Sequence, residues 1–195
     1  MEWSFLLAIL SKLGFSPTWI NWIRIYVTSP SFSILINGSP FGLFNPKCGL
    51  QQGDHLSPFL FILGSEVLSR LLIRRESQGS LRGVRIAHQC SPISHLIFAD
   101  DLILFAKATL AKATILKTVV DQYCHWSGQA INISKSSIHF SNNTSSASIH
   151  SISGIFQYKR SLCSSKYIGL PLSLGRSKIG AFRDILEKVS SKIEG

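Results

Sequence analysis

The stretch that decides the fold is His95-Leu96-Ile97-Phe98-Ala99-Asp100-Asp101-Leu102-Ile103-Leu104-Phe105-Ala106, in which two short apolar runs flank two adjacent aspartates. This pattern predicts a β-hairpin with the aspartates at its tip. Two neighbouring carboxylates between buried strands repel each other unless a cation neutralises them or one keeps its proton. The pair therefore predicts either a divalent-metal site or a solvated turn, since aspartate is common in turns.

The composition indicates a folded protein with a polyanionic partner. The chain has 195 residues, 45% of them hydrophobic, which is enough for one domain with a real core. Twenty lysines and arginines face ten acidic residues, which gives a formal net charge of +10. Nucleic acid is the first candidate partner and an acidic membrane surface is the second. Charge alone leaves both open.

The cysteines and the N-terminal segment predict no special chemistry. Cys48, Cys90, Cys124 and Cys163 are far apart and lack zinc-site spacing, so we expect free thiols. The first residues have no basic leading region, and their apolar positions recur at helical spacing up to Gly14. We therefore expect an amphipathic helix there, no signal peptide, no membrane span, and a nuclear or cytoplasmic location.

Residues typical of helix starts and turns divide the chain into helices and hairpins. Ser16-Pro17 and Ser57-Pro58 each predict a helix start, and Asn37-Gly38 predicts the turn between strands at 32–36 and 41–44. Further strands are expected at 82–87, 93–98 and 102–106, a turn and an edge strand within 131–140, and helices at 109–126 and from 178 onward. Residues 141–148, rich in Ser and Asn, read as a surface connection. Residues 166–172 read as a tight turn between apolar strands.

Mixed helices and hairpins without βαβ regularity predict an α+β fold, in which helices pack on one face of an antiparallel sheet. The loop Cys48-Gly49-Leu50-Gln51-Gln52-Gly53-Asp54-His55-Leu56 precedes one of these helices. Glycines ahead of a helix N-terminus allow close backbone approach by a phosphate or nucleotide. An ordinary loop that enters a core helix is the alternative, and the sequence leaves both open.

Four segments together resemble the reverse transcriptases of non-LTR (LINE-type) retrotransposons, which are common in plants. Residues 49–58 (GLQQGDHLSP) look like motif B and residues 98–101 (FADD) look like motif C. Residues 131–136 (INISKS) are similar to motif D, and residues 167–172 (YIGLPL) are similar to motif E, the primer grip. The four segments occur in the family's order, and the resemblance covers nearly the whole chain.

The resemblance implies a reverse-transcriptase palm over residues 1–175 and the start of a helical thumb over 176–195, with the fingers missing. It implies RNA-templated DNA synthesis with two Mg²⁺ ions, an RNA template, a DNA primer and dNTP as partners, and no membrane. Asp100 and Asp101 would then be catalytic metal ligands.

The resemblance also implies roles for residues outside the aspartate pair. Gln52, Gly53, Phe98 and Ala99 would contact the incoming nucleotide, and Lys135 would protonate the leaving pyrophosphate. Tyr167, Gly169 and Leu170 would hold the primer end. The alternative for Lys135 is an ordinary solvated lysine, and the alternative for Tyr167, Gly169 and Leu170 is packing in the core.

The sequence departs from the family pattern at two places. His55 stands where the family usually has proline. Glu2-Trp3 matches the end of a block that follows motif A in relatives, so we expect the motif A aspartate to be absent and the chain to be inactive. There are three alternatives. The start of the chain is misassigned, the chain is a non-catalytic remnant that binds nucleic acid with a basic tail over the last 40 residues, or it has no cellular role.

Overall fold

The structure, a computed structural model, describes residues 1–160, 166–167, 170–171, 187 and 189–193. The chain divides into two compact units, Met1–Ile131 and Asn132–Gly195. The described helices are α1 (Trp3–Lys12), α2 (Pro17–Thr28), α3 (Ser57–Ser77), α4 (Leu110–Ser127) and α5 (Ser146–Phe156). The described strands are β1 (Phe32–Ile36), β2 (Ser39–Phe44), β3 (His95–Phe98), β4 (Asp101–Leu104), β5 (Ser137–Ile138), β6 (Lys159–Arg160), β7 (Lys166–Tyr167) and β8 (Leu170–Pro171).

Local signals fix the helix ends in the first unit. The Ser16 hydroxyl accepts from the Trp19 backbone N–H at 3.2 Å and begins α2. The Thr109 hydroxyl accepts from the Lys112 backbone N–H at 3.4 Å and begins α4, which ends at Gly128 in the left-handed conformation. These ends confirm the predicted helices.

Helix α3 begins at Ser57, as predicted, but the Ser57 hydroxyl is not its cap. Ser57 is the first helical residue, and its hydroxyl accepts no backbone hydrogen bond. Instead the Asp54 carboxylate accepts from the backbone N–H groups of Leu56 at 3.0 Å and Ser57 at 2.7 Å. A carboxylate three residues upstream reaches the free N–H groups more easily than a short hydroxyl inside the first turn.

The core of the first unit comes from the apolar faces of α1, α2 and α3. Leu6, Leu10, Ile23, Val27 and Leu60 form a buried cluster, and Leu6, Leu10 and Leu60 are fully enclosed. Helices α1 and α4 also contact α3. This packing supports the backbone from which the functional loops project.

The described strands pair two by two. β1 pairs with β2 through a turn in which Asn37 (φ 51°) and Gly38 (φ 83°) both adopt left-handed geometry, as predicted. β3 pairs antiparallel with β4, β7 with β8, and β5 runs parallel to β6. The α+β class is confirmed. We expected a single sheet, but the described strands form separate two-stranded sheets.

Two stretches differ from the sequence expectation. Residues 82–87 make only a single bridge, Val84 with Ile93, where a full strand was predicted. The surface connection predicted over 141–148 ends early, because Ser145 caps α5 by accepting from the Ser148 backbone N–H at 3.3 Å. The helix after this cap places Ile152 in a buried position.

The end of the chain is described only in part. The predicted turn over 166–172 agrees with the register of β7 and β8, in which Tyr167 lies opposite Leu170. Residues 187 and 189–193 are helical, as the spacing predicted. The boundary predicted at 175 falls outside the described residues and stays a prediction.

Candidate functional site

The aspartate pair sits at the tip of the β3–β4 hairpin. Phe98 pairs with Asp101, so Ala99 and Asp100 form the two-residue turn between the strands. Ala99 adopts φ 50°, a left-handed geometry that strains a residue with a Cβ atom. Phe98, Ala99, Asp100 and Asp101 are all exposed. The turn therefore presents both carboxylates to solvent on a constrained backbone.

The base of the hairpin is tied to the end of α3. Phe105 donates to the Ser94 carbonyl at 2.8 Å, and Val84 and Ile93 exchange backbone hydrogen bonds at 2.9 and 2.8 Å. The Gly83 N–H donates to Glu76 Oε1 on α3 at 3.3 Å. These bonds connect the strand that leads to the aspartates with a helix of the core, which restrains the hairpin.

Burial shifts the pKa of three further titratable groups in this unit. Burial lowers the pKa of His95, against an opposing attraction from Glu76 and Glu66, so His95 is neutral at pH 7. Burial raises the pKa of Tyr123 and of Cys124 on α4, which keeps both protonated. None of these groups brings a charge to the hairpin at neutral pH.

The loop after β2 is held at its first end by the start of the chain. The Trp3 indole N–H donates to the Gly49 carbonyl at 2.7 Å, and the Gly49 N–H donates to the Met1 carbonyl at 2.8 Å. Gly49 adopts φ 93° and Gly53 adopts φ 82°, which only glycine adopts without strain. The segment between these two glycines thus has a fixed starting point.

The second end of the loop is held by Asp54. Besides capping α3, its carboxylate accepts from the Tyr26 hydroxyl on α2, and this hydrogen bond lowers the pKa of Asp54 and raises that of Tyr26. Between the two ends, Gln51, Gln52 and Gly53 are exposed and line a shallow cavity of about 300 Å³. Gln52 and Gly53, two of the predicted nucleotide-contact residues, thus lie on a loop restrained on both sides.

We expect Trp3→Phe to loosen this loop, because the Gly49 carbonyl loses its indole donor while the aromatic ring is retained. The free energy of unfolding should fall by about 1 kcal/mol. Hydrogen exchange at residues 49–53 should accelerate. Trp19→Phe is the matched control, since Trp19 stacks on Phe15 and makes no indole hydrogen bond among the described residues. Equal exchange rates in the two variants would contradict the expectation.

The lowered pKa of Asp54 predicts a pH-dependent contribution to stability. A depressed folded-state pKa means that the unfolded chain binds more protons, so the contribution is present above the ordinary aspartate pKa and is lost as pH falls through the folded value. Asp54→Asn keeps an acceptor oxygen but removes the charge. We expect wild type to melt at a higher temperature than Asp54→Asn near pH 7, with the gap closing in acid. A gap that is independent of pH would refute this role.

The remaining predicted site residues lie in the second unit. Lys135 is exposed in a turn where its N–H and that of Ser134 donate to Asn132 Oδ1 at 3.2 and 3.1 Å. Tyr167 and Leu170 pair across β7 and β8, and Gly169 lies outside the described residues. Their predicted roles in pyrophosphate protonation and primer holding stay predictions.

Asp100 and Asp101 remain the predicted ligands of a metal site. Carboxylate oxygens suit Mg²⁺. Within the described residues, however, no group of three or more His, Cys, Asp or Glu side chains comes together. Two carboxylates balance only half the charge of two divalent cations, so a complete two-metal site needs further ligands beyond those described here.

The expectations of free cysteines and of no membrane span can be compared with the described residues. Cys48, Cys90 and Cys124 are free thiols, as predicted, and Cys163 lies outside the described part. None of the described helices has the length and apolar character needed to cross a membrane.

The sequence reading missed three residues that position the loops. Trp3 was interpreted as part of an apolar helix face and of the Glu2-Trp3 match, although its indole N–H needs an acceptor when partly buried. Asp54 was interpreted as a loop residue, although aspartate is one of the residues whose side chain caps a helix by accepting from backbone N–H groups two or three positions later. Gly83 carried no signal in the sequence, because its importance comes from the close approach of Ile93.

Comparison with known proteins bears on the whole chain. The family described as reverse transcriptase (RNA-dependent DNA polymerase) matches residues 1–172. An uncharacterized mitochondrial protein of Arabidopsis thaliana is 55% identical over 67 residues, 34% of this chain and 55% of that protein. The retrovirus-related Pol polyprotein from type-1 retrotransposable element R2 of Popillia japonica is 32% identical over 128 residues, 65% of this chain and 17% of the polyprotein. The chain thus spans about half of one relative and under a fifth of the other.

Proposed function

The chain belongs to the reverse transcriptase (RNA-dependent DNA polymerase) family, and from this we propose that residues 1–175 are the palm of a non-LTR retrotransposon polymerase. Residues 176–195 would begin the thumb. The family match and the R2-type relative support this assignment. The observation that carries it is the two-residue turn of the β3–β4 hairpin, where Asp100 and Asp101 are both exposed.

In this proposal the aspartates hold Mg²⁺ together with ligands from beyond the described residues. Bound divalent cations would make the primer 3′-hydroxyl more acidic and offset the charge of the triphosphate. Ala99 adopts left-handed geometry in the turn before the two aspartates, and exposed Phe98 lies beside them in the sequence. The chain's own contribution is the placement of two oxygen ligands on a restrained hairpin.

The other proposed roles follow the family motifs. Gln52 and Gly53 contact the incoming nucleotide from the restrained loop, together with Phe98 and Ala99. Lys135 protonates the leaving pyrophosphate, and Tyr167, Gly169 and Leu170 hold the primer end. An RNA template, a DNA primer and dNTP are the proposed partners, and a nuclear or cytoplasmic location belongs to the same proposal.

We expect residues 1–195 alone to extend a primer poorly. The described residues gather no third potential metal ligand near the two aspartates. A site with too few carboxylates binds two divalent ions weakly, and each tenfold loss of rate corresponds to about 1.4 kcal/mol of barrier. Activity would then require a longer polypeptide that supplies the missing ligand.

A second candidate function is nucleic-acid binding without catalysis. The net charge of +10 favours it, because basic side chains bind phosphates without a metal. Such binding weakens steeply with salt and does not need Mg²⁺. The two candidates therefore differ in how binding responds to the divalent cation.

The test is to measure template–primer binding and primer extension by residues 1–195 with Mg²⁺ and with EDTA. An RNA template annealed to a DNA primer is the probe, at several salt concentrations. Binding that Mg²⁺ and dNTP strengthen, with extension near background, supports the palm assignment and the expected weak activity. Robust Mg²⁺-dependent extension would overturn the expectation of weak activity. Binding that responds to salt alone favours the non-catalytic candidate.

A further inference from the structure

A groove between α3 and α4 has the chemistry of a nucleic-acid contact. It has a volume of about 200 Å³ and is lined by Leu71, Arg74, Arg75, Gln78, Gln122 and Trp126. These six residues are called the α3/α4 groove below. The groove shares no residue with the aspartate hairpin or with the cavity at Gln52. It is therefore a separate feature of the same unit.

Helical spacing brings the lining side chains together. On α3 and its C-cap Gln78, residues 71, 74, 75 and 78 follow the i, i+3, i+4, i+7 pattern, which places them on one face. On α4, Gln122 and Trp126 are four residues apart and also share a face. The two helices contact each other, so the two faces form one continuous surface.

The charge in the groove is unbalanced. Its lining contains two arginines and no carboxylate. Other basic side chains on these helices are engaged: Arg70 pairs with Glu66 at 2.9 Å, Lys117 pairs with Asp121, and Lys112 donates to the Ser80 carbonyl at 2.6 Å. In the described part of the chain, the guanidinium groups of Arg74 and Arg75 have no hydrogen-bond acceptor. They remain available for an anion.

The helix dipole does not account for the whole arrangement. Arginines in the last turn of a helix are favoured by its negative end, and Arg74 and Arg75 occupy that turn. This effect explains the positive charge but not the neighbouring aromatic and amide groups. Trp126 remains 44% exposed beside the arginines, and Gln78 and Gln122 add amide donors and acceptors.

We propose that the α3/α4 groove binds a single-stranded nucleic acid. Guanidinium groups form bidentate hydrogen bonds with phosphate oxygens, and an exposed indole stacks with an unpaired base. A single strand fits better than a duplex, because stacking on Trp126 requires a base free of its own stack. The proposal goes beyond the polymerase assignment, since binding here requires neither Asp100 nor Mg²⁺.

The experiment is fluorescence anisotropy with a labelled oligouridine of about ten nucleotides, in EDTA, against residues 1–195. We expect Arg74→Gln/Arg75→Gln to weaken binding about tenfold at low salt and to reduce the salt slope by about 1 to 2. Trp126→Ala should weaken binding by about 5- to 100-fold. Crosslinks from a 5-bromouridine version should map to Trp126.

Matched variants keep the experiment decisive. Arg70→Gln removes a basic residue of α3 that already pairs with Glu66, and Trp22→Ala removes a tryptophan of α2 that is 62% exposed. Both should bind like wild type. If the double arginine variant does not fold by circular dichroism, Arg74→Lys/Arg75→Lys keeps the charge and should still lose affinity, because lysine cannot bind bidentately.

The proposal is overturned if folded arginine and Trp126 variants bind as wild type does, or if crosslinks map away from the groove. This outcome would leave the polymerase assignment intact, since that assignment is read from Mg²⁺-dependent binding of template–primer. Conversely, loss of the Mg²⁺ response together with intact oligouridine binding would contradict the polymerase assignment alone.

Discussion

Asp100→Asn/Asp101→Asn is expected to abolish the Mg²⁺-dependent part of template–primer binding. Asparagine keeps the size of the side chain but replaces a charged oxygen ligand with a neutral amide. In a longer polymerase that carries this chain, Mg²⁺-dependent extension should fall by about 1,000-fold or more, roughly 4 kcal/mol of barrier. Primer extension and template–primer anisotropy with and without Mg²⁺ measure the two effects.

Asp121→Asn is the control for this experiment. Asp121 is an exposed aspartate on α4 that pairs with Lys117, so its replacement makes the same chemical change once, at a place without a proposed metal. It should leave the Mg²⁺ response close to that of wild type. If the double variant at 100 and 101 retains the full Mg²⁺ response, the metal role of the hairpin is wrong.

Gly83→Ala should strongly destabilise the base of the aspartate hairpin. A Cβ atom at this position would lie 2.2 Å from the Ile93 carbonyl oxygen and 2.6 Å from the Ser94 nitrogen, closer than atoms can approach. Because both contacts are backbone, the two chain segments must separate. The Val84–Ile93 hydrogen bonds would then break. We expect the free energy of unfolding to fall by about 2–4 kcal/mol.

Urea denaturation measures this loss, and hydrogen exchange at Ile93 and along β3 shows whether the hairpin is freed. Gly154→Ala is the comparison, since nothing lies within 4 Å of a Cβ atom there and Gly154 is inside α5. Alanine should stabilise that helix by about 0.5–1 kcal/mol. A Gly83→Ala protein as stable as wild type would show that the strands can shift without cost.

Local sequence signals predicted the elements that short-range chemistry controls. Asn37-Gly38 predicted its turn because both residues tolerate left-handed geometry, and both adopt it. Ser16-Pro17 marked the start of α2, because the Ser16 hydroxyl accepts one of the backbone N–H groups that the first helical turn leaves free. Asp100 and Asp101 were located at a hairpin tip because two short apolar runs flank them. α5 was missed, because its polar N-terminal residues resemble a loop and only its later isoleucines show the helical period.

The sequence by itself determined the α+β class, the family and the identity of the exposed aspartates, since these depend on motifs and on periods of a few residues. Only the tertiary structure decided how the loops are held. Trp3 meets Gly49 across 46 positions, and Gly83 approaches Ile93 from a separate segment. The faces of α3 and α4 likewise form a groove only once the helices pack. Contacts between distant segments depend on how the helices and strands pack together, and local propensity does not specify which distant residues will be in contact.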